Sequence, residues 1–227
     1  MKLKDRISVI IRSRNEERWI GHCIQSIIEF LHKPEIIIVD NNSKDETIPI
    51  VKSFKEDPNF KVKKKNNYTK IKVLSIDNYS PGKAINLGVK NAKNKFVLVI
   101  SAHCTIKKIN LNKHLKDLQK FKCIFGNQIP VWKGKKITKR YIWSHFTDQP
   151  VVNMYSDQEN RYFMHNALSM FERNFLLKNK FNENLTSKED RYWVNSLINK
   201  KYKFLYDPEL EAEHYYTEAG NTWKGIG

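Results

Sequence analysis

The sequence predicts an α/β fold with a mostly parallel central sheet flanked by helices. Three observations carry that prediction. Phe96-Val97-Leu98-Val99-Ile100 is apolar throughout, the pattern of a strand buried on both faces. Ile7-Ser8-Val9-Ile10-Ile11 and Glu35-Ile36-Ile37-Ile38-Val39 are two further strands, each followed by a polar turn and a helical stretch. Strand, turn and helix therefore recur near the start of the chain, which is how a parallel βαβ unit begins.

After the first strand comes Arg12-Ser13-Arg14-Asn15-Glu16-Glu17, then a helix with Ile20, Ile24, Ile27, Ile28 and Leu31 at helical spacing. The second strand ends at Asp40-Asn41-Asn42-Ser43. Ser43 and Glu46 predict a capping box for the helix that follows. Residues 71–76 read as an edge-side strand. Ser80-Pro81 opens a helix with proline in its first turn, and Gly88 on its apolar stripe is expected to let the helix approach the sheet closely. The strand at 96–100 stops abruptly at Ser101-Ala102-His103-Cys104, so a hydroxyl, an imidazole and a thiol fall where open α/β sheets bind ligands. Residues 110–120 read as a weak amphipathic helix and 123–126 as a short strand. The stretch 128–161, rich in aromatics, reads as an irregular insertion or lid. A strand over 161–171, a helix over 187–200 and a last strand over 203–206 lead to Glu213-His214-Tyr215-Tyr216.

The chain has 227 residues, 40% hydrophobic and 12% aromatic. That suits one domain over 1–227 with a sizeable core and argues against disorder. No apolar run approaches the roughly 18–20 residues a membrane span requires, and Met1–Arg6 leads into no signal-type apolar core. Cys23, Cys104 and Cys123 form no C-x-x-C, which argues against a disulfide framework and for a reducing cytoplasm. The net charge is +17, yet only 8 of the 41 basic residues are arginine. Nucleic-acid readers favour arginine, so nucleic acid is not the expected partner, and Lys61–Asn67 reads as a solvated loop. Attraction to an anionic membrane leaflet stays open. No G-x-G-x-x-G or P-loop follows the first strand, which excludes those nucleotide fingerprints.

Four blocks carry a resemblance: Ile11-Arg12-Ser13-Arg14-Asn15-Glu16-Glu17, Val39-Asp40-Asn41-Asn42-Ser43-Lys44-Asp45-Glu46, Gly82-Lys83-Ala84-Ile85-Asn86-Leu87-Gly88 and Ser187-Lys188-Glu189-Asp190-Arg191-Tyr192-Trp193. From about Ile7 to His214 the chain resembles a family-2 inverting glycosyltransferase of GT-A fold. The resemblance implies a nucleotide-sugar donor bound by the first half, about 1–105, and an acceptor and catalytic half, about 106–227. Carried over by position, Asp40 binds the donor base, and Arg12, Arg14, Asn15, Glu16 and Asn42 line the nucleoside pocket with Lys83 and Asn86 nearby. Asp190 is the implied general base, with adjacent Glu189 able to share or replace that role. The residues alone also allow plainer readings: a turn-forming Asp40, a solvated Lys83, and an Asp190 that caps its helix from Ser187-x-x-Asp190.

The family usually carries Asp-x-Asp where this chain has Ser101-Ala102-His103. Loss of both carboxylates weakens the case for Mg²⁺. His103 could ligate Mn²⁺ with His214 as a second ligand, or it could donate a hydrogen bond to the diphosphate without metal. Ser-Ala-His-Cys also resembles a bacterial subset in which Gly126-Asn127-Gln128-Ile129-Pro130 and His165-Asn166-Ala167 recur. His165 and Asn166 are then candidates for the donor-sugar or acceptor pocket, or else a polar strand end. Trp132 and the aromatics up to Tyr155 are expected to shape the acceptor side. The expected protein is a cytoplasmic bacterial transferase of surface-polysaccharide synthesis, acting on a glycan or lipid-linked glycan and able to sit at the inner membrane face. A sugar nucleotidylyltransferase and a non-catalytic basic binding module are the competing readings.

Overall fold

The computed structural model describes residues 7–56, 70–137 and 146–218. The lysine run at 61–67, Tyr141, Trp143 and both ends of the chain lie outside them. In chain order the elements are β1 (Ile7–Ser13), α1 (Ile20–Phe30), β2 (Glu35–Asp40), α2 (Thr47–Glu56), β3 (Lys70–Ser75), α3 (Pro81–Asn91), β4 (Phe96–Ser101), β5 (Cys104–Lys108) and α4 (Leu111–Asp117). They continue with β6 (Cys123–Trp132), β7 (Lys135–Lys136), β8 (Val151–Val152), β9 (Tyr155–Ser156), β10 (Arg161–Tyr162), β11 (Leu168–Glu172), α5 (Arg173–Lys178), α6 (Glu189–Asn199) and β12 (Leu205–Tyr215).

The sheet runs β3-β2-β1-β4-β11-β6-β12-β5. Its first four strands are parallel, as the alternation of apolar strand and amphipathic helix requires. Beyond β4 the sheet becomes mixed: β11 is antiparallel to both β4 and β6, β12 is parallel to β6, and β5 is antiparallel to β12. β4 passes to β5 through the two-residue turn Ala102-His103, too short for a helical crossover. It sends the chain from β4 to a strand at the opposite edge.

Alternate side chains of β1 enter two cores, because strand side chains have a period of two. Val9 and Ile11 join Ile20, Cys23, Ile24 and Ile27 of α1 on one face. Ile10 joins Ala84, Ile85 and Val89 of α3 on the other. A Cβ at Gly88 would lie 2.6 Å from Ile10 Cγ2, so glycine is required for the close approach foreseen there. Ser80 Oγ accepts from Lys83 N at 3.2 Å and caps α3 ahead of Pro81.

Three expectations change. The Ser43–Glu46 capping box does not form. Ser43 gives its hydroxyl to Asp40 Oδ1 at 2.6 Å, and α2 begins at Thr47, whose N–H donates to Asp45 Oδ1 at 3.0 Å. A buried carboxylate at the end of β2 outcompetes the helix for that hydroxyl. Second, the described parts of the stretch 128–161, residues 128–137 and 146–161, include strands that join the sheet. β6 runs on to Trp132, β7 pairs with it, and β8 pairs with β12. Polar Asn127 and Gln128 and Pro130 interrupt the apolar run without ending the strand. Third, the strand expected over 161–171 divides into β10 and β11, and the last strand extends to Tyr215. Among the described residues no helix is long and apolar enough to cross a membrane.

Candidate active site

The carboxyl ends of β1, β2 and β4 share one edge of the sheet, Arg12 standing in register with Ser101 and Ser13 with Asp40. The residue preceding β11 reaches the same edge, because Ala167 O accepts from Ser101 N. So does the end of β12, where Tyr215 N donates to His103 O at 2.9 Å.

Glu189 and Asp190 begin α6. The helix is preceded by Lys188 in a left-handed conformation and has no side-chain cap, so Asp190 is not a capping residue. Both carboxylates turn inward and are buried. Glu189 Oε1 accepts from Arg12 Nη1 and from Asn166 Nδ2, each at 3.2 Å. Asp190 Oδ2 lies 2.9 Å from Arg191 Nη1 and accepts from Asn166 N at 3.3 Å. Burial, and then the charge of Asp190, push the Glu189 carboxyl above its ordinary range, with Arg12 and Asn166 opposing. Each carboxylate is thus held by an arginine and by Asn166, Glu189 through Arg12 and Asp190 through Arg191.

On the other side of the edge, His103 Nδ1 is 2.8 Å from Glu16 Oε1. The His103 and His214 rings lie 4.9 Å apart, centroid to centroid. His214 Nδ1 meets Gln128 Oε1, and burial holds this imidazole well below its usual pKa, with His103 and His165 acting the same way. Oxygen atoms thus face the Nδ1 of both rings, Glu16 Oε1 for His103 and Gln128 Oε1 for His214.

The loops after β1 and β2 are zipped together. Asn15 N donates to Ser43 Oγ at 2.9 Å and Asn15 Oδ1 accepts from Lys44 N at 2.8 Å. Asp40 is buried and both its oxygens accept from Ser43. Arg14 and Asn42 are exposed on these loops, Asn42 in a left-handed conformation. Lys83 Nζ folds back onto the carbonyls of Asp77 and Asn78. Asn86 clamps α3 to the segment before α6 through Phe181 O, Phe181 N and Glu183 Oε1.

His165 is buried. Its Nε2–H donates to Gly126 O at 2.8 Å and its Nδ1 accepts from Ala167 N at 3.2 Å, so both nitrogens are committed. Edge-on contacts to Phe125 and Phe146 enclose the ring, and burial holds its pKa down to about 4. Asn166, by contrast, holds both carboxylates. Cys104 is fully buried and its thiol pKa is pushed well up by burial, so it is no nucleophile. Trp132 ends β6 beneath the Lys133 ammonium, and Phe146 belongs to the core. Arg191 and Gln128 stand within the resembling blocks without a role in the sequence reading, and here they contact Asp190 and His214. Arg191 stands beside the carboxylate pair, the one signal that could have found it.

A parallel half-sheet whose carboxyl edge gathers a carboxylate pair, an arginine and two imidazoles defines an α/β protein of the GT-A class. The chain belongs to glycosyl transferase family 2, whose family model matches residues 8–202. It is 29% identical over 119 residues to a dolichyl N-acetyl-alpha-D-glucosaminyl phosphate 3-beta-D-2,3-diacetamido-2,3-dideoxy-beta-D-glucuronosyltransferase of Methanococcus voltae, covering 51% of this chain and 35% of that protein. It is 28% identical over 141 residues to the Staphylococcus aureus poly(ribitol-phosphate) beta-N-acetylglucosaminyltransferase TarS, covering 55% and 22%. The chain thus spans only about a third or less of these relatives' length. Among solved structures, S. aureus TarS 1-349 with UDP-GlcNAc superposes with a TM-score of 0.68 at 20% identity, over 98% of this chain and 62% of that one. GalNAc-T7 with UDP, GalNAc and Mn2+ gives 0.64 at 17% identity, over 98% and 46%. At these identities the likeness is one of fold.

Proposed function

We propose that the protein is an inverting glycosyltransferase that moves a sugar from a nucleotide-sugar donor to a glycan or lipid-linked glycan acceptor. The observation that carries this reading is the buried Glu189–Asp190 pair held by Arg12 and Asn166 at the same edge as His103 and His214. Asp190 accepts the proton of the acceptor hydroxyl as that oxygen attacks the anomeric carbon. The bond to the diphosphate breaks on the opposite face, and the nucleoside diphosphate leaves with the electron pair. Glu189 orients Arg12, whose charge faces the departing diphosphate. Asp40, buried at the end of β2, meets the donor base while Ser43 fixes its carboxylate. TarS with UDP-GlcNAc and GalNAc-T7 with UDP make uridine diphosphate sugars the first donors to examine. Surface-polysaccharide synthesis is the process we assign.

Among the described residues no group of three His, Cys, Asp or Glu forms a metal cage. His103 and His214, whose rings lie 4.9 Å apart, nevertheless bring two imidazoles to where a cation would take its remaining ligands from the donor. Two imidazoles suit Mn²⁺ better than Mg²⁺. Such an ion would neutralise charge on the diphosphate.

Asp190→Asn tests the base. We expect transfer to fall about 10²- to 10⁴-fold while UDP still raises the melting temperature; transfer near the wild-type rate would sink the assignment. Thermal shift with UDP, GDP, TDP and CMP, each with and without Mn²⁺, reads base preference and metal need together. His103→Ala should abolish the Mn²⁺-dependent part of the UDP shift.

A further inference from the structure

Arg191 follows Asp190 on α6 and is buried. Its Nη1 is 2.9 Å from Asp190 Oδ2 and its Nε 3.6 Å from Glu159 Oε1. Its guanidinium lies 4.2 Å from the Phe163 ring centroid. One cation is thus shared by two carboxylates against an aromatic face.

Glu159 sits in the turn between β9 and β10 with its side chain only 3% exposed. Its N–H donates to Ser156 Oγ at 3.0 Å, and Arg161 Nε donates to its carbonyl at 3.1 Å. The hairpin is strapped to α6 by Asn195. That amide donates to Tyr162 O at 3.0 Å and to Arg191 O at 2.7 Å, and accepts from Tyr162 N at 3.3 Å. Glu159 is therefore delivered to Arg191 by a braced element.

We propose that Arg191 is a positioning residue that fixes Asp190 and supplies its counter-charge, and that Glu159 on the β9–β10 hairpin limits how much of that charge Asp190 receives. The proposal rests on Asp190 as base. A buried cation between two anions divides its attraction, so removing one anion strengthens its hold on the other. Among the described residues, the charged or titratable groups whose electrostatics also involve Asp190 include Glu189 beside it, Arg12 from β1, His165 before β11 and Cys123 from β6. None of them differs between the variants below.

The test is a titration of the full chain labelled with ¹³C at aspartate carboxyls, the Asp190 signal being assigned by its disappearance in Asp190→Asn. Arg191→Gln should move the Asp190 midpoint up, because the counter-charge is gone. Arg191→Lys should keep it near wild type, and Glu159→Gln should move it down by less. A residue that only packs would not give shifts of opposite sign. An unmoved midpoint, or shifts of the same sign, overturns the proposal. Should Arg191→Gln not fold, the near-isosteric Glu159→Gln decides alone, and an unmoved midpoint there is fatal. The base reading fails separately, by transfer surviving in Asp190→Asn.

Discussion

The two ends of the parallel half-sheet are built from the same strands and handle their polar groups in opposite ways. At the amino end, Ser8 Oγ donates to Glu35 Oε2 at 2.5 Å, and Lys93 N donates to the same oxygen at 2.8 Å. Asn94 closes the cluster through Ile7 O and Ser8 Oγ. Arg173 donates to Val89 O and Lys90 O at the end of α3, where the helix dipole favours a cation. Donors there meet acceptors, carboxylate and carbonyl oxygens each taking an N–H or O–H. At the carboxyl end, Arg12 on the same β1 faces two adjacent buried carboxylates, and two imidazoles lie side by side. Like groups crowd there, at a cost to stability that function offsets. Satisfied polar ends hold a sheet together; opposed ones mark where it works.

Acid should break that contrast most visibly. His165 stands at the carboxyl edge with its pKa held down to about 4 by burial, against roughly 6.5 in an unfolded chain. The folded state thus excludes a proton that the unfolded chain binds. Stability is full above about pH 6.5 and falls as the pH drops toward 4, by about 3 kcal/mol in all. His214, also held down by burial, adds in the same direction. Urea unfolding at several pH values across this window should show the slope in the wild type and a smaller one in His165→Gln. A flat wild-type profile would mean that the carboxyl edge bears no such burden.

What was legible in the sequence divides along the same line. The parallel half announced itself, since runs such as Ile36–Val39 and Phe96–Ile100 are buried whatever surrounds them. Gly88 was legible because a small residue on an apolar stripe has few other uses. The pairing of Arg12 with Glu189 was not, for it spans 177 positions and depends on how β1 and α6 meet. His165 could not be sorted from His103 because each takes its role from remote neighbours: Gly126 and Phe146 for one, Glu16 and His214 for the other. Ser43 misled because a local rule, the capping box, competed with a nearby carboxylate and lost.

Glu35→Gln tests the amino end. It removes the charge from two hydrogen bonds without changing shape. We expect a loss of about 1–2 kcal/mol in unfolding free energy and no change in transfer, since Glu35 lies at the far end of the sheet from Asp190. Loss of transfer at unchanged stability would undo the division between the two ends.

Glu189→Gln makes the matching change at the carboxyl end, and the expected sign is reversed. Burial and the neighbouring Asp190 raise the Glu189 carboxyl above its unfolded value. The ionised form at neutral pH is therefore a burden on the folded state, absent when the pH lies below the ordinary carboxylate range. A glutamine keeps an oxygen for Arg12 and Asn166 while shedding that charge. Unfolding free energy should rise by about 0.5–1 kcal/mol, a typical gain when a site group is relaxed. Transfer should fall, though less than in Asp190→Asn, because Arg12 is held by a dipole where it had a charge. The decisive comparison is the two glutamates side by side in urea. If Glu189→Gln loses stability as Glu35→Gln does, the carboxyl end is braced like the amino end, and the crowding of like groups there is no mark of function.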